Sequence, residues 1–206
     1  PIFVKFGQSL STRQDLLPTD IGRELTRLQD EVPPFPTEQA LAEIESSFGQ
    51  PARQLFASFE HEPLAAASIA QVHGARLHSG DDVVVKILRP NVRELVRRDL
   101  EVMYALARLA ERWWPESRRL RPVDIVAEYE KTILNELDLV REAANAAQLR
   151  RNWLGSPLIY VPQVYFDYCR KSVMVMERIH GIPIDDMEAL TAAGVNIPRL
   201  AANGVE

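Results

Sequence analysis

The spacing of apolar residues along this chain changes period several times, and each change predicts an element. Phe3, Phe6 and Leu10 recur at helical spacing, with Lys5, Gln8 and Thr12 on another face. Gly7 inside that helix costs about 1 kcal/mol relative to alanine, which suggests that something approaches the backbone closely there. Pro18-Thr19-Asp20 restarts a helix that runs to about Glu31, and Pro33-Pro34-Phe35-Pro36 ends it as a stiff connector. Thr37 to Phe48 is a second amphipathic helix, stopped by Gly49-Gln50-Pro51. Then the pattern becomes that of strands. One is predicted from Leu55 to Phe59, one from about Ile69 to Leu77 and one from Asp82 to Leu88, with Ser79-Gly80-Asp81 as the hairpin turn. Past Arg89-Pro90 a helix reaches about Trp114, with an arginine-rich charged face, and Pro122 opens another that reaches roughly Trp153. Short strands over Val164 to Tyr168 and Val173 to Ile179 follow. Gly181-Ile182-Pro183 then breaks the chain before two short helices. The order is helices, a small antiparallel sheet interrupted by helices, and more helices, an α+β arrangement.

Composition narrows the classes. A net charge of -5 argues against general nucleic-acid binding, which usually needs a basic domain. One cysteine, Cys169, cannot close an internal disulfide, so a reducing compartment is expected. No apolar run approaches the roughly 18–20 residues of a membrane span, and there is no charged-then-apolar leader. The chain is expected to be soluble. Both ends read as interior to a longer protein, because Pro1-Ile2-Phe3-Val4 starts within an apolar pattern and Gly204-Val205-Glu206 stops without a terminal device.

The candidate chemistry lies between Leu64 and Lys86. Residues Leu64, Ala65, Ala66, Ala67, Ser68, Ile69, Ala70, Gln71 and Val72 form a small-residue stretch ahead of a strand, a tight turn and a second strand carrying Lys86. Backbone N–H groups in a tight loop can cradle phosphate oxygens, and alanine methyls make such a loop stiffer than glycine would. Alanine-rich stretches also form helices, and periodicity alone does not exclude that here. On the lysine strand Val84, Lys86 and Leu88 share one face and Val83, Val85 and Ile87 the other. An ammonium amid apolar neighbours calls for a carboxylate partner, unless it is an edge-strand lysine whose stem lies along the surface. The helix after Pro122 offers Glu128, Glu130, Glu136, Asp138 and Glu142. Asp138 and Glu142 fall on one face of a continuous helix, while Glu136 lies roughly 200° around from Asp138, so the three are expected to meet different partners. With Arg141 close by, a plain surface cluster remains an alternative. His61, His73, His78, His180 and Cys169 form no metal or nucleophile spacing and read as structural.

Several of these stretches together resemble the UbiB family of atypical protein-kinase-like proteins, the bacterial branch above all. Lys5-Phe6-Gly7-Gln8 resembles its K-x-G-Q signature, and Ala65 to His73 the alanine-rich loop that replaces the kinase glycine loop. Val84-Val85-Lys86 is similar to the strand lysine of kinases, and Glu136-Leu137-Asp138 with Glu142 beyond it to the E-x-D segment and the helix-C glutamate. The resemblance implies a kinase-like N-lobe over residues 55–180, a helical extension over 1–54 and the start of a second lobe over 181–206. It implies that Lys86 holds ATP or ADP phosphates and pairs with Glu142, and that the Leu64 to Val72 loop covers them. Glu177 and Ile179 would offer hinge backbone groups to adenine, with Met176 as gatekeeper. Lys5 and Gln8 would lie on a helix over the site mouth, engaged by Glu136 and Asp138 and blocking a protein substrate.

Kinase-like chemistry also needs a catalytic-loop Asp, an Asn and a metal-binding Asp. No such stretch occurs before Glu206, so the Mg²⁺ site is expected mainly beyond it, and the fragment alone should not turn over ATP. For the full-length protein the resemblance implies an ATPase or kinase supporting ubiquinone (coenzyme Q) biosynthesis at the cytoplasmic face of the inner membrane. Biosynthetic proteins and prenylated quinone intermediates would be its partners, and segments not present here would attach it to the membrane. A true protein or small-molecule kinase and a non-enzymatic lipid- or protein-binding module are the alternatives.

Overall fold

The structure is a computed structural model that describes residues 33–113 and 121–204. The helices expected before Pro33, with Lys5 and Gln8, lie outside the described residues. After the Pro33–Pro36 connector come α1 (Thr37–Phe48) and the single turn α2 (Ala52–Leu55), then β1 (Phe56–Ala66), β2 (Ala70–Leu77) and β3 (Asp82–Leu88). Helices α3 (Val92–Trp113), α4 (Pro122–Glu136) and α5 (Leu139–Asn152) precede β4 (Val173–Glu177), and α6 (Met187–Ala192) and α7 (Ile197–Asn203) close the chain.

The four strands pair antiparallel in the order β1-β2-β3-β4, so the lysine strand β3 is interior. That removes the edge-strand alternative for Lys86. The β2–β3 turn is tight because Gly80 takes φ +98, a conformation that side-chain-bearing residues rarely adopt. Leu77 N–H donates to Asp81 O at 2.9 Å across the turn. Pro63 sits in β1, the outer strand, where a missing N–H costs no ladder bond. The exposed side of β4 is covered by residues 163–165: Tyr165 N–H donates to Val175 O at 3.0 Å and Glu177 N–H to Gln163 O at 2.8 Å.

Alternation along β3 sends the two faces of the sheet to different surroundings. Val83, Val85 and Ile87, with Val173 and Val175 of β4, are fully buried in a cluster with Phe56, Ala40 and Ile44 beneath α1 and α2. A second cluster joins Met174 and Leu88 to Val96, Leu100 and Met103 of α3, Ile133 of α4, and Leu139 and Ala143 of α5. Burial of each Val, Leu, Ile, Met or Phe among these contributes roughly 1.5–3 kcal/mol.

Three sequence expectations change. The helix opened by Pro122 is two helices, broken at Leu137 and Asp138. Leu137 ends α4 with its carbonyl accepting from Arg93 Nη2, and Asp138 takes an extended φ of -118 as N-cap of α5, its carboxylate accepting from Val140 N–H at 3.2 Å. The first strand begins at Phe56 and runs on to Ala66, so Leu64, Ala65 and Ala66 belong to it. Val164 to Tyr168 is not a strand: Val164 makes an isolated bridge to Met176, and Phe166–Tyr168 is a 3₁₀ turn.

A buried polar cluster fastens the connector to the sheet. Gln71 and His73 are both fully buried. Gln71 Oε1 accepts from Phe35 N–H at 2.9 Å, and its Nε2 donates to Phe35 O at 3.2 Å and to His73 Nε2 at 2.8 Å. His73 Nδ1 donates to Glu60 O at 3.0 Å, so Nε2 must be the acceptor and the ring neutral. Burial holds His73 below its ordinary value of 6.5. The unfolded chain therefore takes up this proton first, and stability is lost as pH falls from about 6.5 through the lowered value. Denaturant unfolding between pH 7.5 and 5 is expected to show this loss, and a His73→Gln variant a shallower dependence from a lower starting stability. An equal slope in the two proteins would remove His73 as its source.

Candidate functional site

Lys86 stands mid-strand between Val72 of β2 and Met174 of β4. Its ammonium donates to Glu142 Oε1 at 2.6 Å and Oε2 at 2.8 Å, gripping both oxygens. The lysine side chain is 29% exposed and the glutamate 40%, so the pair is screened by solvent on one side only. The helix brings the carboxylate there through its apolar spacing. Leu139 and Ala143, one turn apart, are fully buried, and Glu142 lies beside them where the same stripe continues to the partly buried Ala146. Leu139 N–H also donates to Lys171 O at 3.0 Å, tying the start of α5 to the turn before β4. Glu142 in the first turn of α5 faces the positive end of that helix.

Glu136 and Asp138 take other directions. Asp138 caps α5 as described, and Glu136 closes α4, where its charge, after burial, helps push the half-buried Tyr129 up to about 12. Neither belongs to the Lys86 pair. Because Asp138 precedes the helix instead of lying within it, the i, i+4 repulsion with Glu142 does not arise. Arg141 donates to Asn135 Oδ1, not to these carboxylates.

The alanine stretch turns over Ser68 and Ile69, between β1 and β2, with Ala67 N–H donating to Ala70 O at 2.8 Å. Among the described residues no acceptor meets the N–H groups of Ser68 and Ile69. Gln71 does not face the same way, since its side chain is committed to Phe35 and His73. On the sheet face shared by Val72, Lys86 and Met174, Gly74 lies opposite Val84 on β3. A Cβ at Gly74 would fall 2.4 Å from the Glu60 carboxylate, which reaches over it to an ion pair with Arg178. That pair joins β1 to the segment after β4. The sequence reading missed it, although a glycine inside a strand marks a close approach.

Met176 and Glu177 end β4. The Glu177 carboxylate accepts from Tyr160 Oη at 2.6 Å and from Gln163 N–H at 3.0 Å, which hold it below the usual carboxylate range. Ile179 is half-exposed, and its N–H has no acceptor among the described residues. No group of three or more His, Cys, Asp or Glu among the described residues is placed to hold a metal ion. No helix among them is long and apolar enough to cross a membrane. A cleft of about 430 Å³ lined by Thr37, Leu41, Phe56 and Phe59 lies between α1, α2 and β1, away from Lys86.

Residues 27–206 match the family model described as the ABC1 atypical kinase-like domain. Over all 206 residues the chain is 61% identical to the probable protein kinase UbiB of Pseudomonas paraeruginosa, 60% to that of Marinobacter nauticus and 58% to that of Azotobacter vinelandii. It spans 38–39% of the length of these relatives. The solved complex of Rv3197 with erythromycin from Mycobacterium tuberculosis is similar in structure, with a TM-score of 0.64 and 31% identity, over 94% of this chain and 48% of that one.

The pair predicts its own test. Glu142→Gln is expected to destabilise the chain by about 1 kcal/mol, since a partly buried ammonium loses its counter-charge. In a cycle with Lys86→Met the double variant should recover part of that loss, and additive effects in denaturant unfolding would contradict the pairing.

Proposed function

The chain belongs to the ABC1 atypical kinase-like family, and from that footing we propose that it is the nucleotide-binding lobe of a UbiB-type ATPase or kinase. The observation that carries the reading is the Lys86–Glu142 grip beside a loop whose Ser68 and Ile69 N–H groups meet no acceptor among the described residues. An ammonium held by one carboxylate keeps donor capacity for a phosphate, and free loop N–H groups complement the same anion. ATP or ADP phosphates would lie against Lys86 and the Ala65 to Ala70 loop. Adenine would lie under Val72 and Val84, with its edge toward Met176, the Glu177 backbone and the Ile179 N–H. Residues 55–180 would form this lobe and 181–206 the start of the next.

Mg²⁺ would supply charge neutralisation to the phosphates, and the described residues offer no ligand set for it, so its ligands would come from elsewhere in the full-length protein. In the family reading Lys5 and Gln8 lie over the mouth of the site and limit protein access. Together with a stiff alanine loop this favours ATP hydrolysis over phosphorylation of a protein acceptor. The process served would be ubiquinone biosynthesis, by acting on prenylated intermediates or on the biosynthetic proteins at the cytoplasmic face of the inner membrane.

In the full-length protein Lys86→Ala is expected to weaken Mg-ATP binding about tenfold or more, the equivalent of one charge-assisted contact. Phosphate release should fall with it, and so should complementation of a strain unable to make ubiquinone. Undiminished complementation would favour a non-enzymatic module. Transfer of labelled γ-phosphate to a defined acceptor would favour a true kinase.

A further inference from the structure

The loop over Ser68 and Ile69 has the length of a two-residue β-hairpin, yet it does not close as one. Such loops normally adopt turns with φ > 0 at one or both central residues, hence their preference for glycine. Among the described residues only Asn91 and Arg121 combine a side chain with positive φ, so Ser68 and Ile69 do not. Ala67 N–H reaches Ala70 O, but the carbonyl of Ala67 takes its hydrogen bond from outside the loop, from Arg89 Nε at 2.9 Å. Arg89 N–H meets the second loop carbonyl, Ile69 O, at 2.8 Å. Having side-chain-bearing Ser68 and Ile69 at the central positions thus leaves a carbonyl that Arg89 satisfies.

The rest of the guanidinium is held by the connector. Arg89 Nη2 donates to Pro33 O at 2.7 Å, and its carbon lies 5.3 Å from the centroid of the Phe35 ring. Gln71 grips the N–H and carbonyl of Phe35 from the strand that leaves the loop. Connector and loop therefore share one cation, three residues beyond Lys86 on the same stretch of chain.

We propose that Arg89 is a positioning residue for nucleotide phosphate, aiming the Ser68 N–H through the Ala67 carbonyl and itself held in place by the Pro33–Phe35 connector. The inference rests on the nucleotide-binding reading of this lobe. The peptide between Ala67 and Ser68 is planar and trans, so its C=O and N–H point in opposite directions. Anchoring the carbonyl on Arg89 turns the Ser68 N–H away from the connector. Without the guanidinium that peptide is free to rotate, and the donor is no longer preset. A fork with several donors is needed to serve Ala67 O and Pro33 O together, and lysine has no such fork.

The test compares ligands with and without phosphate in the full-length protein, using Mg-ATP and adenosine as probes. Arg89→Ala is expected to weaken ATP about tenfold or more, the scale of one hydrogen bond to a charged group. Adenosine affinity should be unchanged, and Arg89→Lys should fall between. Phe35→Leu should weaken ATP in the wild-type background and add nothing in the Arg89→Ala background. Equal weakening of ATP and adenosine would make Arg89 merely structural, and no change in either would overturn the proposal. Lys86→Ala separates the two levels. If it abolishes the preference for ATP over adenosine and Arg89→Ala leaves that preference intact, the inference about Arg89 falls while the site reading stands. If wild-type protein binds ATP no better than adenosine, both fall.

Discussion

A lysine in an interior strand needs a counter-charge, and the way Glu142 meets Lys86 organises the helices around the sheet. Glu142 arrives because Leu139 and Ala143 of α5 are buried with Met174 of β4 in one cluster. Helix α5 can take that position because the chain breaks at Leu137 and Asp138, where Arg93 of α3 takes up the carbonyl of Leu137, the C-cap of α4. Removing the carboxylate would leave an ammonium in a sheet whose other neighbours are apolar. The ion pair is thus a packing constraint as much as an electrostatic one.

The other half of the proposed site is the loop, and its character follows from having no glycine. Side chains at Ser68 and Ile69 keep φ negative, so the turn relies on Arg89 for a carbonyl and leaves two N–H groups without an acceptor among the described residues. Gln71, which the sequence groups with the loop, instead turns under the sheet to hold Phe35. The same few residues therefore shape a donor-lined edge and fasten the chain that leads into it.

Much of this was legible in the sequence because burial has a period. The alternation in Asp82 to Leu88 placed β3 to the residue and put Lys86 on the face opposite Val85, and the α+β order held through all four strands. The Lys86–Glu142 meeting was expected from the family resemblance, since spacing alone left several carboxylates open. What spacing could not give was the break before α5. Asp138 reads equally as a helix residue and as an N-cap, and only the packing of Leu137 and Leu139, both fully buried, decides between them. Equally hidden were Glu60 over Gly74, Gln71 on Phe35 and Arg89 on Ala67, because each joins segments far apart in sequence by side-chain geometry. The segment carrying Lys5 and Gln8 lies outside the described residues.

The most direct measurement is an experimental structure of the full-length protein with Mg²⁺ and a non-hydrolysable ATP analogue. The account predicts the phosphates within hydrogen-bond distance of Lys86 Nζ, with Glu142 still paired to it and the Ser68 N–H directed at the ligand. A nucleotide whose phosphates lie away from Lys86, or a Lys86 that has left Glu142 for another carboxylate, would contradict it.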